Sequence, residues 1–558
     1  MSNEFAAKTA KPLLPNGSPR KQQARSGLFA LTLGLAFLIL AGQLVRLALI
    51  SDHGIRLAAA IPIGTGTARP DILDRNGRLI ATDLPTPSLV ADPSLIIGVD
   101  ETAEALAGAL PSLKLSDVRA ALADPSKRFT WLARGMKPSD AQIAFDLGLP
   151  GVSFRDELRR AYPAADATGR ILGAVDTDNR GLFGLERWID QQRLTDSVDR
   201  PARSTREPVV SSIDLAAQFA MREELQAAIG RYQAKAAAGV FLDIETGEIL
   251  AANSLPDFPA GAAAASLDPA NIDRLTSGTY ELGSVFKTLT LALALDAGTA
   301  TLDKSYDATE ALHIGKYSID DLHPQRRWLT VEEVFLHSSN IGTARIADEL
   351  GEDRFLGFMS DLGLMSPLET EAGSAKSMRM PPKLGRLGTM TAAFGHGIAL
   401  TPLQFAVAAA PLFNGGKRIN ATFLKRRPGE KIPDGAQVLK PQTVELMRQL
   451  MRANVEKKEG TGKLANVAGY EVGGKTGTAD IAGVGGYGKS GVISSFLAVL
   501  PAHHPRYLSY VVLFEPEEND AGEADHVAGH NAAPTTAKII ARLAPILGLA
   551  PVYGPGGT

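Results

Sequence analysis

Eighteen consecutive residues without a charge, LFALTLGLAFLILAGQLV at 28–45, constrain this chain more than any other feature. As a helix at 1.5 Å per residue they cover about 27 Å, close to the hydrocarbon core of a bilayer. A cleaved secretory signal is the competing reading. Against it, the charged region ahead of the run is long at 27 residues, and the nearest small-residue triplet, Ala58-Ala59-Ala60, lies well past the apolar end. The sequence therefore predicts an uncleaved anchor. Lys8, Lys11, Arg20, Lys21 and Arg25 precede it against one acid, Glu4. The positive-inside rule then keeps this tail in the cytoplasm and sends the rest of the chain outside. Pro12, Pro15, Gly17 and Pro19 leave the tail little chance of folding.

Beyond the anchor the chain is long enough for several cores: 558 residues correspond to roughly three to four domains at about 150 each. With 45% hydrophobic and 21% charged residues the composition is globular. A net charge of −3 supplies no global basic field, which argues against nucleic acid as a partner. The absence of cysteine excludes disulfides, thiolate nucleophiles and cysteine zinc sites. The nine histidines are scattered without a helix-spaced metal pair, and His503-His504 reads as a surface turn before Pro505.

A juxtamembrane linker ends near Gly64, Gly66 and Pro70. Beyond it Ile72-Leu73 and Leu79-Ile80 flank Asn76-Gly77, which predicts a hairpin. Residues 101–147 carry three short helical patterns expected to pack on that sheet. The pattern breaks near Tyr162-Pro163, and Gly181 and Gly184 predict a turn against a packed helix at 181–190. The polar, proline-bearing stretch near 200–208 marks a domain boundary. After it come a strand end, a cap at Ser212 or Asp214 and a long amphipathic helix, then a strand hairpin about Thr246-Gly247. A strand at 507–516 and a terminal helix at 535–547 close the pattern, and no internal repeat is present.

Three short motifs bear chemistry. In TYELGSVFKTLTLALALDAG (279–298), Ser284 precedes an apolar helical run that stops at Gly298. At a helix start a hydroxyl sits at the positive end of the macrodipole, where backbone N–H groups stabilise negative charge. Lys287, three residues on, projects from the same face, so its amine can reach the Ser284 oxygen. Buried beside apolar side chains it would become neutral and could take the serine proton. Alone, this pattern is equally a helix cap followed by a surface lysine, and Ser18-Pro19-Arg20-Lys21 in the tail also matches it. In LHSSNIGTARIADELG (336–351), Ser338 and Asn340 offer a hydroxyl and an amide to one pocket, or simply cap the next helix.

In YEVGGKTGTAD (470–480), Lys475, Thr476 and Thr478 stand among Gly473, Gly474, Gly477 and Ala479. Such a strand has almost no bulk on either face, which predicts close approach of another backbone. A substrate peptide adding along it would meet Lys475 and threonine hydroxyls able to bind a carboxylate, the alternative being a flexible surface loop. Lys489-Ser490-Gly491 is a second match without the glycine pair, read as a loop entering the next strand.

Ser-x-x-Lys, Ser-x-Asn and Lys-Thr-Gly-Thr in that order resemble the motif set of penicillin-binding proteins and class A β-lactamases. RPDILDRNGRLIA, GLFGLE, PDFP (256–259) and HGIALTPLQ (396–404) extend the likeness to the class B penicillin-binding proteins over essentially the whole chain after the tail. FGHGIALTPLQ (394–404) is more similar to the cell-division, FtsI-type enzyme than to the elongation enzyme. The resemblance implies an α+β multidomain protein with a single N-terminal transmembrane helix, an elongated pedestal module, and a transpeptidase domain with an antiparallel sheet flanked by helices. The expected division is a cytoplasmic tail at 1–27, an anchor at 28–50, a pedestal at 51–206, a transpeptidase domain at 207–548 and a tail at 549–558.

The resemblance also implies roles. Ser284 would attack the penultimate D-Ala carbonyl of a peptidoglycan stem peptide ending in D-Ala-D-Ala, with Lys287 as general base. Ser338 would relay a proton to the leaving amine and Asn340 would orient the substrate amide. The backbone N–H groups of Ser284 and Thr478 would form the oxyanion hole, and Lys475, Thr476, Gly477 and Thr478 would bind the terminal carboxylate, which β-lactam antibiotics imitate. No metal or organic cofactor is implied. The implied setting is the division site of a bacterial inner membrane, with the catalytic domain in the periplasm and a membrane-embedded glycan polymerase and divisome proteins as partners. Two departures from the family pattern fall in the pedestal: Arg69-Pro70 where Arg-Gly is usual, and Ala165 and Arg170 where Gly and His are usual. The competing expectations are an elongation transpeptidase of the same chemistry, a β-lactamase, and a penicillin-binding scaffold or sensor with little turnover.

Overall fold

The computed structural model describes residues 33–42, 68–195, 207–427, 429–432, 435–483, 486–517 and 525–552. Residues 33–42, within the apolar run, form an exposed helix. The remainder of the expected anchor, the basic tail and the linker lie outside the described residues. Among the described residues no helix is long and apolar enough to cross a membrane.

At Asn76-Gly77 the chain reverses between β1 (Ile72–Leu73) and β2 (Leu79–Ala91), with Gly77 at φ +83°, a conformation open to residues without a Cβ. The hairpin is the predicted one, but β2 runs on through Pro85 and Pro87. The prolines are tolerated because the third-strand partner, β3 (Thr130–Ala133), pairs only with Leu89–Ala91, while β4 (Val152–Ala161) covers the other side of β2. The three predicted helices form as α1 (Val99–Ala109), α2 (Leu115–Leu122) and α3 (Pro138–Asp146). They enclose a small core of Leu89, Ala103, Leu106, Val118, Leu122 and Ala144.

Two sequence motifs 117 residues apart meet beneath this sheet. Arg69 is buried, and its Nε donates to Glu186 Oε2 at 2.7 Å and its NH1 to Asp190 Oδ1 at 2.6 Å. Arg160 donates to the other oxygen, Glu186 Oε1, at 2.7 Å and to Asp83 at 3.2 Å. Glu186 thus serves two buried guanidinium groups. Removing one partner of such a group leaves uncompensated charge, at a cost of about 3–5 kcal/mol. Glu186→Gln is expected to destabilise the protein by about that amount, read as a lowered thermal midpoint; an unchanged midpoint would mean that Arg69 and Arg160 find other partners.

Helices α4 (Ala165–Leu172) and α5 (Gly184–Gln191) lead out of this region. The departure at Arg170 has a use: its Nε donates to Ser254 O at 3.0 Å and its NH2 to Pro256 O at 2.7 Å, with the guanidinium over the Phe258 ring. A short strand, β5 (Val209–Val210), pairs in parallel with β1, so the chain returns to the first sheet just after the predicted boundary. Asp214 then caps α6 (Leu215–Arg231) through the N–H groups of Ala216 and Ala217.

The second sheet is antiparallel throughout. Strands β6 (Ala236–Asp243) and β7 (Ile249–Leu255) form the hairpin predicted about Thr246-Gly247. Next comes α7 (Lys287–Asp296), buried from Lys287 to Leu295, then α8 (Asn340–Leu350) and α9 (Pro441–Glu456). Strands β8 (Gly473–Gly483), β9 (Gly486–Leu500) and β10 (Tyr507–Phe514) complete the sheet in the order β8-β9-β10-β6-β7, and α10 (Ala532–Ile546) ends the fold. Alternation along each strand divides the core. Val240, Leu242, Leu508, Tyr510 and Val512 face Val285, Phe286 and Leu289, whereas Phe241, Phe496, Val511 and Leu513 face α6 and α10. Residues 489–491 lie within β9 and not in a loop, because the β8–β9 ladder continues out to Gly483 and Gly486.

Candidate active site

Ser284 lies in a 3₁₀ turn, Gly283–Phe286, that runs directly into α7 at Lys287. The turn is seated on the edge strand β8 by glycine on both sides. A Cβ on Gly283, at φ +61°, would stand 2.1 Å from Thr478 O, and one on Gly477 would stand 2.6 Å from Leu282 O. On the far side, a Cβ on Gly395 would stand 2.3 Å from Gly283 O. The close backbone approach predicted for the glycine-rich strand is therefore real, but at Gly477 the backbone that approaches is the chain's own, carrying Ser284.

The Ser-x-Asn segment enters from the opposite side. Ser338 occupies φ +56°, a left-handed conformation that costs a residue with a side chain about 1–3 kcal/mol and tends to be kept where function needs it. Its neighbour Ser339 caps α8 through Gly342 N, and the buried Asp321 clamps this helix start by accepting from Ser339 Oγ at 2.7 Å and from Ile341 N at 3.0 Å. Asn340 donates to Asp320 O at 3.0 Å, which fixes the direction of its amide.

Two lysines converge on Ser338. Lys287 Nζ donates to Ser338 Oγ at 3.2 Å, to Asn340 Oδ1 at 2.8 Å and to the Ser338 carbonyl. Lys475 Nζ donates to the same Ser338 Oγ at 3.0 Å and to Thr476 Oγ1 at 3.3 Å. Sequence spacing suggested that Lys287 reaches Ser284; among the described residues its hydrogen bonds go to Ser338 and Asn340 instead, because three acceptors across the cleft satisfy the amine. Thr478 Oγ1 accepts from Ala528 N at 3.3 Å. All eight residues singled out in the sequence thus gather at one cleft between α7, α8 and β8.

Both ammonium groups are wholly buried. Burial holds Lys287 well below the ordinary lysine range; the nearby Lys475 pushes the same way and Asp321 opposes. Burial brings Lys475 down to about 7. A site with two buried amines and one clamped carboxylate is prepared to receive an anion and to accept a proton.

Sequence reasoning missed Asp321, Thr461 and Asn454. Thr476 Oγ1 donates to Thr461 Oγ1 at 2.8 Å, and Asn454 lies behind it on α9. None belongs to a motif; all three act through folding contacts that spacing does not encode.

Comparison with known families agrees with this architecture. The profile of the penicillin binding protein transpeptidase domain matches residues 237–541, and that of the penicillin-binding protein dimerisation domain matches residues 65–192. The chain belongs to the penicillin-binding proteins with a transpeptidase domain. It is 36% identical to the probable peptidoglycan D,D-transpeptidase FtsI of Caulobacter vibrioides, over 87% of this chain and 82% of that protein. It is 29% identical to the probable peptidoglycan D,D-transpeptidase PenA of Neisseria gonorrhoeae, over 90% and 87%, and 27% identical to the peptidoglycan D,D-transpeptidase FtsI of Escherichia coli K12, over 92% and 91%. Within the family it is a class B protein of the FtsI type.

Proposed function

We propose that the protein is a peptidoglycan D,D-transpeptidase that crosslinks stem peptides through an acyl-enzyme on Ser284. The observation that carries the assignment is the convergence of Lys287 and Lys475 on one Ser338 hydroxyl, at 3.2 and 3.0 Å, beside a serine turn locked onto an edge strand. Ser284 Oγ attacks the penultimate D-Ala carbonyl carbon while neutral Lys287 takes its proton. The backbone N–H groups of Ser284 and Thr478 stabilise the resulting oxyanion. When the C–N bond breaks, Ser338 gives its proton to the amine of the departing D-Ala and recovers one from Lys287 across their 3.2 Å contact, which returns Lys287 to the neutral form. Lys475, Thr476 and Thr478 hold its carboxylate, with Gly477 keeping the strand flush against the turn, and Asn340 orients the substrate amide. An amine of a second stem peptide then attacks the ester carbonyl, forming the crosslink and returning the proton to Ser284. β-Lactams carry a carboxylate and a strained amide in the same relation and acylate the same oxygen.

The division of the chain into a pedestal at 51–206 and a catalytic domain at 207–548 belongs to this reading. The apolar run at 28–45 and the basic tail support a single-pass inner-membrane protein whose catalytic domain faces the periplasm. The likeness to FtsI proteins supports work at the septum beside a glycan polymerase and divisome proteins.

The test is covalent labelling of the purified full-length chain with a penicillin, read by intact mass and peptide mapping. One long-lived adduct on Ser284, absent from Ser284→Ala, is the expected result. An adduct elsewhere, or none on folded protein, would overturn the nucleophile.

A further inference from the structure

We propose that Asn454 is a positioning residue for carboxylate recognition, acting through Thr461 on the Thr476 hydroxyl. The inference rests on the transpeptidase reading of the site.

Asn454 is wholly buried on α9, with no role in any motif. Its Oδ1 accepts from Thr461 N at 3.1 Å and Thr461 Oγ1 at 3.2 Å. Its Nδ2 donates to Gly474 O at 2.8 Å, and its backbone carbonyl accepts from Gly462 N at 3.1 Å. One amide thus ties the 460–462 turn to the start of the edge strand. The space around it is closed: a Cβ on Gly460 would stand 2.1 Å from Asn454 O, and one on Gly462 3.1 Å from Asn454 Nδ2.

The contacts also have a direction. An amide oxygen can only accept, and the Thr461 hydroxyl spends its single proton on Asn454 Oδ1. The 2.8 Å bond between the two threonine hydroxyls is therefore donated by Thr476. That leaves the Thr476 lone pairs facing Lys475 Nζ, 3.3 Å away. The chain Lys475 → Thr476 → Thr461 → Asn454 runs one way, with its sense fixed by the amide at its end. Lys475 meets an oriented acceptor, and Thr476 is held at a set position on the strand where the substrate carboxylate docks. Removing the amide oxygen frees both hydroxyls to rotate and unties the strand at Gly474.

The experiment compares acylation of the full-length chain by benzylpenicillin and by its methyl ester, which lacks the anionic carboxylate. In Asn454→Leu the rate constant with benzylpenicillin is expected to fall about tenfold, and that with the ester less than twofold. Thr461→Val, which keeps the shape of the side chain, is expected to give the same selective loss and to carry the test should Asn454→Leu fail to fold. The double variant is expected to be no worse than either single one, because both break one chain. Equal losses with acid and ester would reduce Asn454 to general support of the fold, and full retention with both would remove it from the site; either overturns the proposal. Failure of the parent protein to react with benzylpenicillin would instead overturn the nucleophile assignment.

Discussion

Replacing Lys287 by methionine is expected to lower the rate constant of penicillin acylation by about 10²–10⁴-fold, the span associated with loss of a general base. Methionine fills a similar volume, and the site already disfavours a charge there. What the substitution costs in folding is the donor to the half-buried Asn340 Oδ1 and to the Ser338 carbonyl, about 1 kcal/mol for each bond, offset by removing an amine from the interior. A folded but nearly unreactive variant is the outcome that supports the assignment; acylation at the parent rate would take the base away from Lys287.

The pH profile adds a second reading of the same residue. As base, Lys287 must be neutral, and burial with Lys475 beside it lowers its pKa well below that of a free lysine. Acylation should therefore rise with pH through a limb on the acid side of the ordinary lysine range. Lys475 must be charged to hold a carboxylate, and burial brings it down to about 7, so the profile should fall again on the alkaline side of that value. Because both amines share the Ser338 hydroxyl, the two limbs belong to the pair. The same shifts have a stability consequence of definite sign. Between the lowered folded-state values and the unfolded value the unfolded chain binds more protons, so the pair's contribution to stability grows as pH rises through that window. Lys287→Met should remove its share of this slope along with the ascending limb.

Legibility from sequence followed the range of the interactions involved. The Asn76-Gly77 hairpin and the Asp214-capped helix depend on a few adjacent residues, and both form where the sequence puts them. The spacing of Ser-x-x-Lys and the near-absence of bulk around Lys475 marked two walls of the cleft for the same reason. Contacts between distant segments were not legible. Nothing near Arg69 indicates that its partner is Glu186, and nothing near Gly477 indicates that the backbone beside it is that of Leu282. Nothing near Leu79-Ile80 indicates that their strand continues through Pro85 and Pro87, which it does because its neighbour stops short of them. Ser338 at φ +56° is the converse: a serine between His337 and Ser339 gives no local cue, and the strain is imposed by Lys287, Lys475 and the Asp321 clamp. The site's chemistry was readable in its motifs, but its geometry resides in residues between them.

That geometry depends most sharply on Gly283, where alanine is expected to do more damage than any other small substitution in the cleft. Two penalties combine there. A Cβ at φ +61° costs about 1–2 kcal/mol by itself. The same atom would stand 2.1 Å from Thr478 O and 2.8 Å from its carbon, backbone that cannot rotate away. Relief requires the Ser284 turn to lift off β8, and Gly395, packed against Gly283 O from behind, limits where it can go. A shift of about 1 Å in a nucleophile costs on the order of 10²-fold in rate. Gly283→Ala is expected to lose at least that much in acylation and roughly 2–4 kcal/mol in stability. Gly298, which follows α7, separates the two penalties: it has nearly the same φ, +70°, with nothing within 4 Å of a Cβ. Gly298→Ala should therefore pay the conformational cost alone, lowering the melting midpoint slightly while acylation stays at the parent rate. If the two alanine variants acylate alike, close seating of the turn on the strand does not set the reactivity of Ser284; if only Gly283→Ala fails, the glycine contact belongs to the catalytic apparatus as much as the lysines do.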